Sequence, residues 1–201
     1  MNVNDPAVTR FPHPVKREKV EISAEIKKAK IEEKIGEILE ILGLDLDHPS
    51  LTKIPSQIAK SYIDEFFSGL DPRNFPKISF YEEKSQQLIA VKNISFVSFC
   101  EHHLVPIQGV AHVAYYPQKK IIGLSNINQI VRYFAKRPQL QERLTAQIAD
   151  SLASLLETED VGVIISAKHF CMHARNAEDN KSEIQTSVLR GKLLKERHVF
   201  L

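Results

Sequence analysis

The sequence predicts an α+β protein in which an antiparallel sheet is backed by helices. Three observations carry this reading. Two segments with helical apolar spacing come first, alternating β-branched segments fill the middle, and a helix pair then precedes a nearly continuous apolar strand. No internal repeat interrupts this order.

Residues 1–20 hold Pro6, Pro12 and Pro14 among mixed charges without apolar periodicity, and read as an extended N-terminal arm. Residues 21–76 read as an N-terminal helical region. From Ser23 onward Ile31, Ile35, Ile38, Leu39 and Leu42 recur at three- and four-residue spacing, with Gly43 as a stop. Pro49 and Pro55 frame a turn. Ile58, Tyr62, Ile63 and Phe66 then mark a second helix ending at Gly69, and Pro72 and Pro76 block its continuation. Residues 77–201 hold the sheet. Leu88–Phe99 alternates and is rich in β-branched and aromatic side chains, and Ile107–Tyr116 does the same after Pro106. Ile121–Leu124 reads as a short return strand after the turn at Pro117. Ile127, Ile130, Val131 and Phe134 predict a helix that Pro138 interrupts, and Leu140, Leu144, Ile148, Leu152 and Leu156 a longer one. Val161–Ser166 is an apolar strand, and Glu183–Leu189 the last one.

Composition excludes several function classes. A chain of 201 residues is one domain, or one domain with an N-terminal extension. Its 43% hydrophobic and 26% charged residues exclude disordered, collagen-like and low-complexity chains. The 27 Lys+Arg against 25 Asp+Glu leave a net charge of +2, which does not advertise a nucleic-acid surface. Apolar runs such as Val161–Ala167 fall far short of the roughly 18–20 residues a membrane span needs, and the Met1 end lacks an apolar signal core. The expectation is a soluble cytoplasmic protein with neither nucleic acid nor membrane as partner. In a reducing compartment the two cysteines, Cys100 and Cys171, point to buried thiols or a metal site before a disulfide.

The chemistry concentrates around those cysteines. Cys100-Glu101-His102-His103 follows directly on a strand, and Cys171 lies within His169-Phe170-Cys171-Met172-His173 after another. Thiolate and imidazole suit zinc, and Cys-x-x-His brings two ligands from one turn. Cys171 would complete three, the number that leaves a catalytic zinc one open position for water. Spacing alone keeps two alternatives open: structural thiols with surface histidines nearby, and a disulfide. His112 reads as a satisfied sheet residue and His173 as surface.

Phe99-Cys100-Glu101-His102-His103 with Gly109, then Gly123-Leu124-Ser125, Arg137-Pro138-Gln139-Leu140-Gln141-Glu142-Arg143-Leu144 and His169-Phe170-Cys171, resemble GTP cyclohydrolase I. The similarity runs from about Leu44 to Leu189 and includes Ile58-Ala59-Lys60 and Phe67-Ser68-Gly69-Leu70-Asp71. It implies the tunnelling fold, in which subunits join their sheets into barrels. It also implies a homo-oligomer, typically a decamer, with active sites at subunit boundaries. The resemblance assigns Zn2+ to Cys100, His103 and Cys171, and catalytic roles to His169 as proton donor and to His102. Glu142 matches the carboxylate that holds the guanine edge, with Gln141 beside it in the substrate site, and Ser125, Lys60 and Arg175 fall on the phosphates. The implied reaction opens the guanine imidazole ring of GTP at C8, releases formate and rearranges the product to 7,8-dihydroneopterin triphosphate, a step of pterin and tetrahydrofolate biosynthesis.

Departures from the family pattern fall on one end of the substrate. Gln57, Asn126 and Gln129 stand where the family usually has arginine, lysine and arginine, all three directed at the triphosphate; Lys60 remains. Asn176 replaces a glycine, and the chain ends soon after its last strand. Charge-assisted contacts are each worth about 1.5–3 kcal/mol, so amides in these places imply weaker triphosphate binding. Two further readings follow: a related cyclohydrolase for a less phosphorylated guanine nucleotide or nucleoside, and a non-catalytic zinc-binding assembly protein.

Overall fold

Ser23 opens the first helix of the computed structural model, which describes residues 13–15, 22–82, 87–173, 181–196 and 198. The Ser23 hydroxyl accepts from the Ile26 N–H at 3.3 Å, satisfying one of the free donors of α1 (Ala24–Ile41). Gly43, at φ 83°, ends the segment in the left-handed region that glycine tolerates. Of the expected arm, only residues 13–15 are among those described.

The second expected helix divides in two. α2 (Ile54–Lys60) begins with Pro55 in its first turn, and Ser61–Phe66 continues it as a π-helical turn. That wider turn sets Phe66 and Phe67 together against Phe99, with ring centroids 4.6 and 5.5 Å away, so tertiary ring packing overrides the α register. Gly69 then lies against α3 (Leu124–Ala135): its N–H donates to the Lys136 carbonyl, and its carbonyl accepts from Arg137 Nε. A side chain at Gly69 would run into the Tyr133 and Lys136 carbonyls.

Six strands and the remaining helices follow β1 (Phe80–Glu82). They are β2 (Ile89–Cys100), β3 (Pro106–Tyr115), β4 (Lys120–Ile122), β5 (Pro138–Gln139), α4 (Gln141–Leu156), β6 (Val161–His169), α5 (Phe170–His173), β7 (Ile184–Leu189) and α6 (Lys192–Lys195). The main sheet has the order β5-β2-β3-β6-β7, antiparallel except where β5 runs parallel to β2. β4 is shorter than expected because Gly123 caps α3, taking Leu124 into the helix, and it pairs with β1 in a separate two-stranded sheet. β6 runs past the apolar Val161–Ser166 run to His169, because Ile107 and Gln108 continue the ladder opposite His169 and Lys168.

The alternation of these strands decides where the core lies. Ile94, Phe96, Ala111, Val113, Tyr115, Val163 and Ile165 face α3 and α4, which return Ile127, Ile130, Phe134, Leu144, Ile148 and Leu152. Helices thus cover one face of the sheet, and the expected α+β architecture is the one found.

Candidate metal centre and active site

β2 and β3 place the first half of the site. The Cys100 N–H donates to the Val105 carbonyl at 2.9 Å and the Leu104 N–H to the Cys100 carbonyl at 2.8 Å, so the four residues between form a closed turn. Leu104 takes φ 52° to make it. β5 braces the same turn from the other side, where Glu101 N–H donates to the Gln139 carbonyl at 3.1 Å. β6 places the second half. Its last residue, His169, pairs with Ile107 at the start of β3, and α5 then folds Cys171 back over the turn.

The ligand atoms of Cys100, His103 and Cys171 all lie within 4.8 Å of one another, with Cys100 Sγ 4.0 Å from His103 Nδ1. Tetrahedral zinc, with Zn–S near ~2.3 Å and Zn–N near ~2.0 Å, needs ligand separations of about 3.5–3.8 Å, so a small contraction fits this soft donor set around such an ion. Both cysteines are free thiols, so the disulfide alternative does not hold. Burial and the facing Cys100 sulfur push the Cys171 thiol up, and a cation between the two would instead favour the thiolates.

Three consecutive residues at the start of α4 do three different things. Gln141 is 2% exposed and accepts from His169 Nε2 at 2.8 Å. Glu142 is exposed, and its charge raises the affinity of His169 for protons, partly offsetting the lowering caused by burial. Arg143 grips Glu101 with both terminal nitrogens, at 2.5 and 3.3 Å, and holds that carboxyl below its ordinary range. This ion pair ties the ligand turn to α4. His102 is exposed on the turn, with Nδ1 3.8 Å from Cys100 Sγ.

The residues expected on the phosphate side are not joined to this cluster by any hydrogen bond or ion pair among the described residues. Lys60 and Gln57 are exposed on α2 and Ser125 on the first turn of α3. Arg175 and Asn176 lie outside the described residues. Asn126 is buried: its Oδ1 accepts from Ser79 N–H at 3.0 Å, and its Nδ2 donates to the Lys77 carbonyl at 3.0 Å and to Gln129 Oε1 at 2.9 Å. His112, expected as a satisfied sheet residue, has Nδ1 buried without a partner among the described residues; burial, with the nearby Lys92 charge, lowers its pKa. His173 also departs from expectation, half-buried with Nε2 unpartnered among the described residues.

Residues 31–200 match the family model described as GTP cyclohydrolase I. The chain belongs to the GTP cyclohydrolase I family. Among curated relatives, a GTP cyclohydrolase 1 of Photobacterium profundum is 55% identical over 172 residues, covering 85% of this chain and 79% of its own length. One from Shewanella loihica is 52% identical over 85% of this chain and 80% of its own, and one from Vibrio cholerae 54% over 82% and 77%. The family makes this protein a hydrolase with a guanine nucleotide as substrate, which sets aside the reading as a non-catalytic assembly protein. No helix among the described residues is long and apolar enough to cross a membrane.

Sequence reasoning missed the Glu101–Arg143 pair and the attachment of Gln141 to His169. Each joins residues far apart in the chain; the only local signal was the placement of Gln141 and Thr145 one helical turn apart, a spacing that puts both on one face of α4.

Proposed function

We propose that this family member is a zinc-dependent GTP cyclohydrolase I, opening the guanine imidazole ring at C8 with release of formate and rearrangement to 7,8-dihydroneopterin triphosphate. The observation that carries the reading is the convergence of Cys100, His103 and Cys171 beside His102 and His169. When bound, the metal supplies Lewis acidity and activated water. The chain's own groups supply the rest. Glu142, exposed at the first turn of α4, accepts from the guanine amino and ring N–H groups and orients the base. His169 gives a proton to N7 as electron density leaves C8, and His102 carries the second proton beside the ligand turn. Ser125, Lys60 and Arg175 take the phosphates.

The working unit is a homo-oligomer, a decamer by resemblance, with the site at a subunit boundary. Support for association comes from α1, which buries none of its residues in this chain and leaves Ile26, Ile38 and Ile41 exposed, Ile41 by 84%. Formate and pterin fluorescence, followed with GTP, GDP, GMP and guanosine on zinc-loaded protein, test the proposal. Formate from GTP that vanishes in Cys171→Ala supports it; no formate from any guanine compound overturns it.

One observation favours a second reading, a preference for fewer phosphates. The Asn126 amide is spent on Lys77, Ser79 and Gln129, so neither of its atoms is free for a phosphate oxygen. Turnover of GMP or guanosine comparable with GTP is expected on this reading, and a GTP preference of several orders of magnitude excludes it.

A further inference from the structure

We infer that Gln141 is a positioning residue that fixes the ring of His169 and the tautomer it presents, rather than a group that touches the substrate. This rests on the reading of His169 as the proton donor. The starting point is a set of acceptors whose polarity is not adjustable. Gln141 Nε2 lies 3.1 Å from the Ile165 carbonyl and 2.8 Å from the Ile184 carbonyl, and backbone carbonyls only accept. The amide therefore turns its NH2 toward the sheet and its Oε1 toward His169.

A closed hydroxyl circuit holds it there. Thr145 Oγ1 donates to the Gln141 carbonyl at 2.8 Å, which commits its only hydrogen. Thr186 Oγ1, 2.6 Å from Thr145 Oγ1, must then be the donor of that pair, and its lone pairs, 3.2 Å from Gln141 Nε2, share one of the two amide hydrogens with a backbone carbonyl in a three-centre contact. Gln141, Thr145 and Thr186 thus leave one acceptor, Gln141 Oε1, facing His169 Nε2 at 2.8 Å. With an acceptor opposite, Nε2 carries the hydrogen, and Nδ1 is the nitrogen left for proton exchange with a ligand. His169 Nδ1 has no hydrogen-bond partner among the described residues.

Both strands that flank the site enter this circuit. Ile165 belongs to β6, which ends in His169, while Ile184 and Thr186 belong to β7. The first residue of α4 consequently reads the spacing of two strands and passes it to one imidazole. Glu142 beside it stays free to meet the base because Gln141 is turned inward.

Nitrogen-15 NMR of histidine-labelled, zinc-loaded protein tests the inference without any variant. His169 is expected as the Nε2–H tautomer at neutral pH, and an Nδ1–H tautomer overturns the proposal. Gln141→Leu is expected to lower kcat about 10–100-fold with little change in KM, the scale on which supporting partners of site ligands act, and to mix the His169 tautomers. Unchanged kcat with an unchanged tautomer overturns it. Should Gln141→Leu not fold, Thr186→Val and Thr186→Ser decide: valine breaks the circuit and mixes the tautomers, serine restores it, and equal spectra for the two overturn the inference. The tautomer is readable whether or not the protein opens guanine rings, so failure of the inference and failure of the proposed function are separable.

Discussion

The two ends of the proposed substrate site are built from similar side chains and differ in what those side chains are bound to. At the base end, amide and carboxylate groups hold functional residues: Gln141 holds His169, and Glu101 with Arg143 holds the ligand turn. At the phosphate end, the amide of Asn126 holds the protein's own backbone at Lys77 and Ser79. The lesson is that a polar residue in a substrate site serves the substrate only with atoms its neighbours leave unused.

The sharpest way to break this contrast is at the metal ligands. Cys171→Ala is expected to take formate release from every guanine compound below detection and to lower bound metal, while circular dichroism stays that of the folded chain. Retained metal with lost activity would remove Cys171 from the ligand set. Next in size, His169→Ala should lower kcat by about 10²–10⁴-fold with the metal kept, as measured by single-turnover formate release and metal content. At the phosphate end the effects should appear in stability first. Asn126→Ala leaves the Ser79 N–H without its partner, and thermal or urea unfolding should show a loss of about 1–3 kcal/mol. Guanosine turnover should change less than unfolding does. The smallest effect is expected at Gln129, which is exposed. Gln129→Arg restores one charge and should favour GTP over guanosine by about tenfold in kcat/KM, or ~1.4 kcal/mol. No gain would mean that position 129 does not meet the phosphates.

Legibility in the sequence followed the distance over which a structure is decided. Ile127, Ile130 and Phe134 are fully buried as their spacing requires, because an amphipathic helix is written within a few turns. The strands β2, β3 and β6 were equally plain. The Cys-His-Cys cluster was legible for a similar reason: its members sit in two short stretches, each at the end of a strand. By contrast, Phe80–Glu82 and Lys120–Ile122 pair across some forty residues, and two strands of three residues carry too little alternation to announce a sheet. The π-helical turn at Ser61–Phe66 answers to Phe99, which no local pattern can signal. The same holds for Gln141, whose direction is set by carbonyls of β6 and β7.

The closed turn at the end of β2 has a kinetic consequence. Cys100 is tied through its N–H to Val105 and through its carbonyl to Leu104, and the next amide is tied to Gln139. Cys100 is also 4% exposed, so turning its thiol outward to surrender a bound ion requires the fixed backbone of the turn to open. Release to a chelator then waits for the hairpin end to fray, so its rate should saturate with chelator concentration and match the hydrogen-exchange opening of the Cys100 and Glu101 amides.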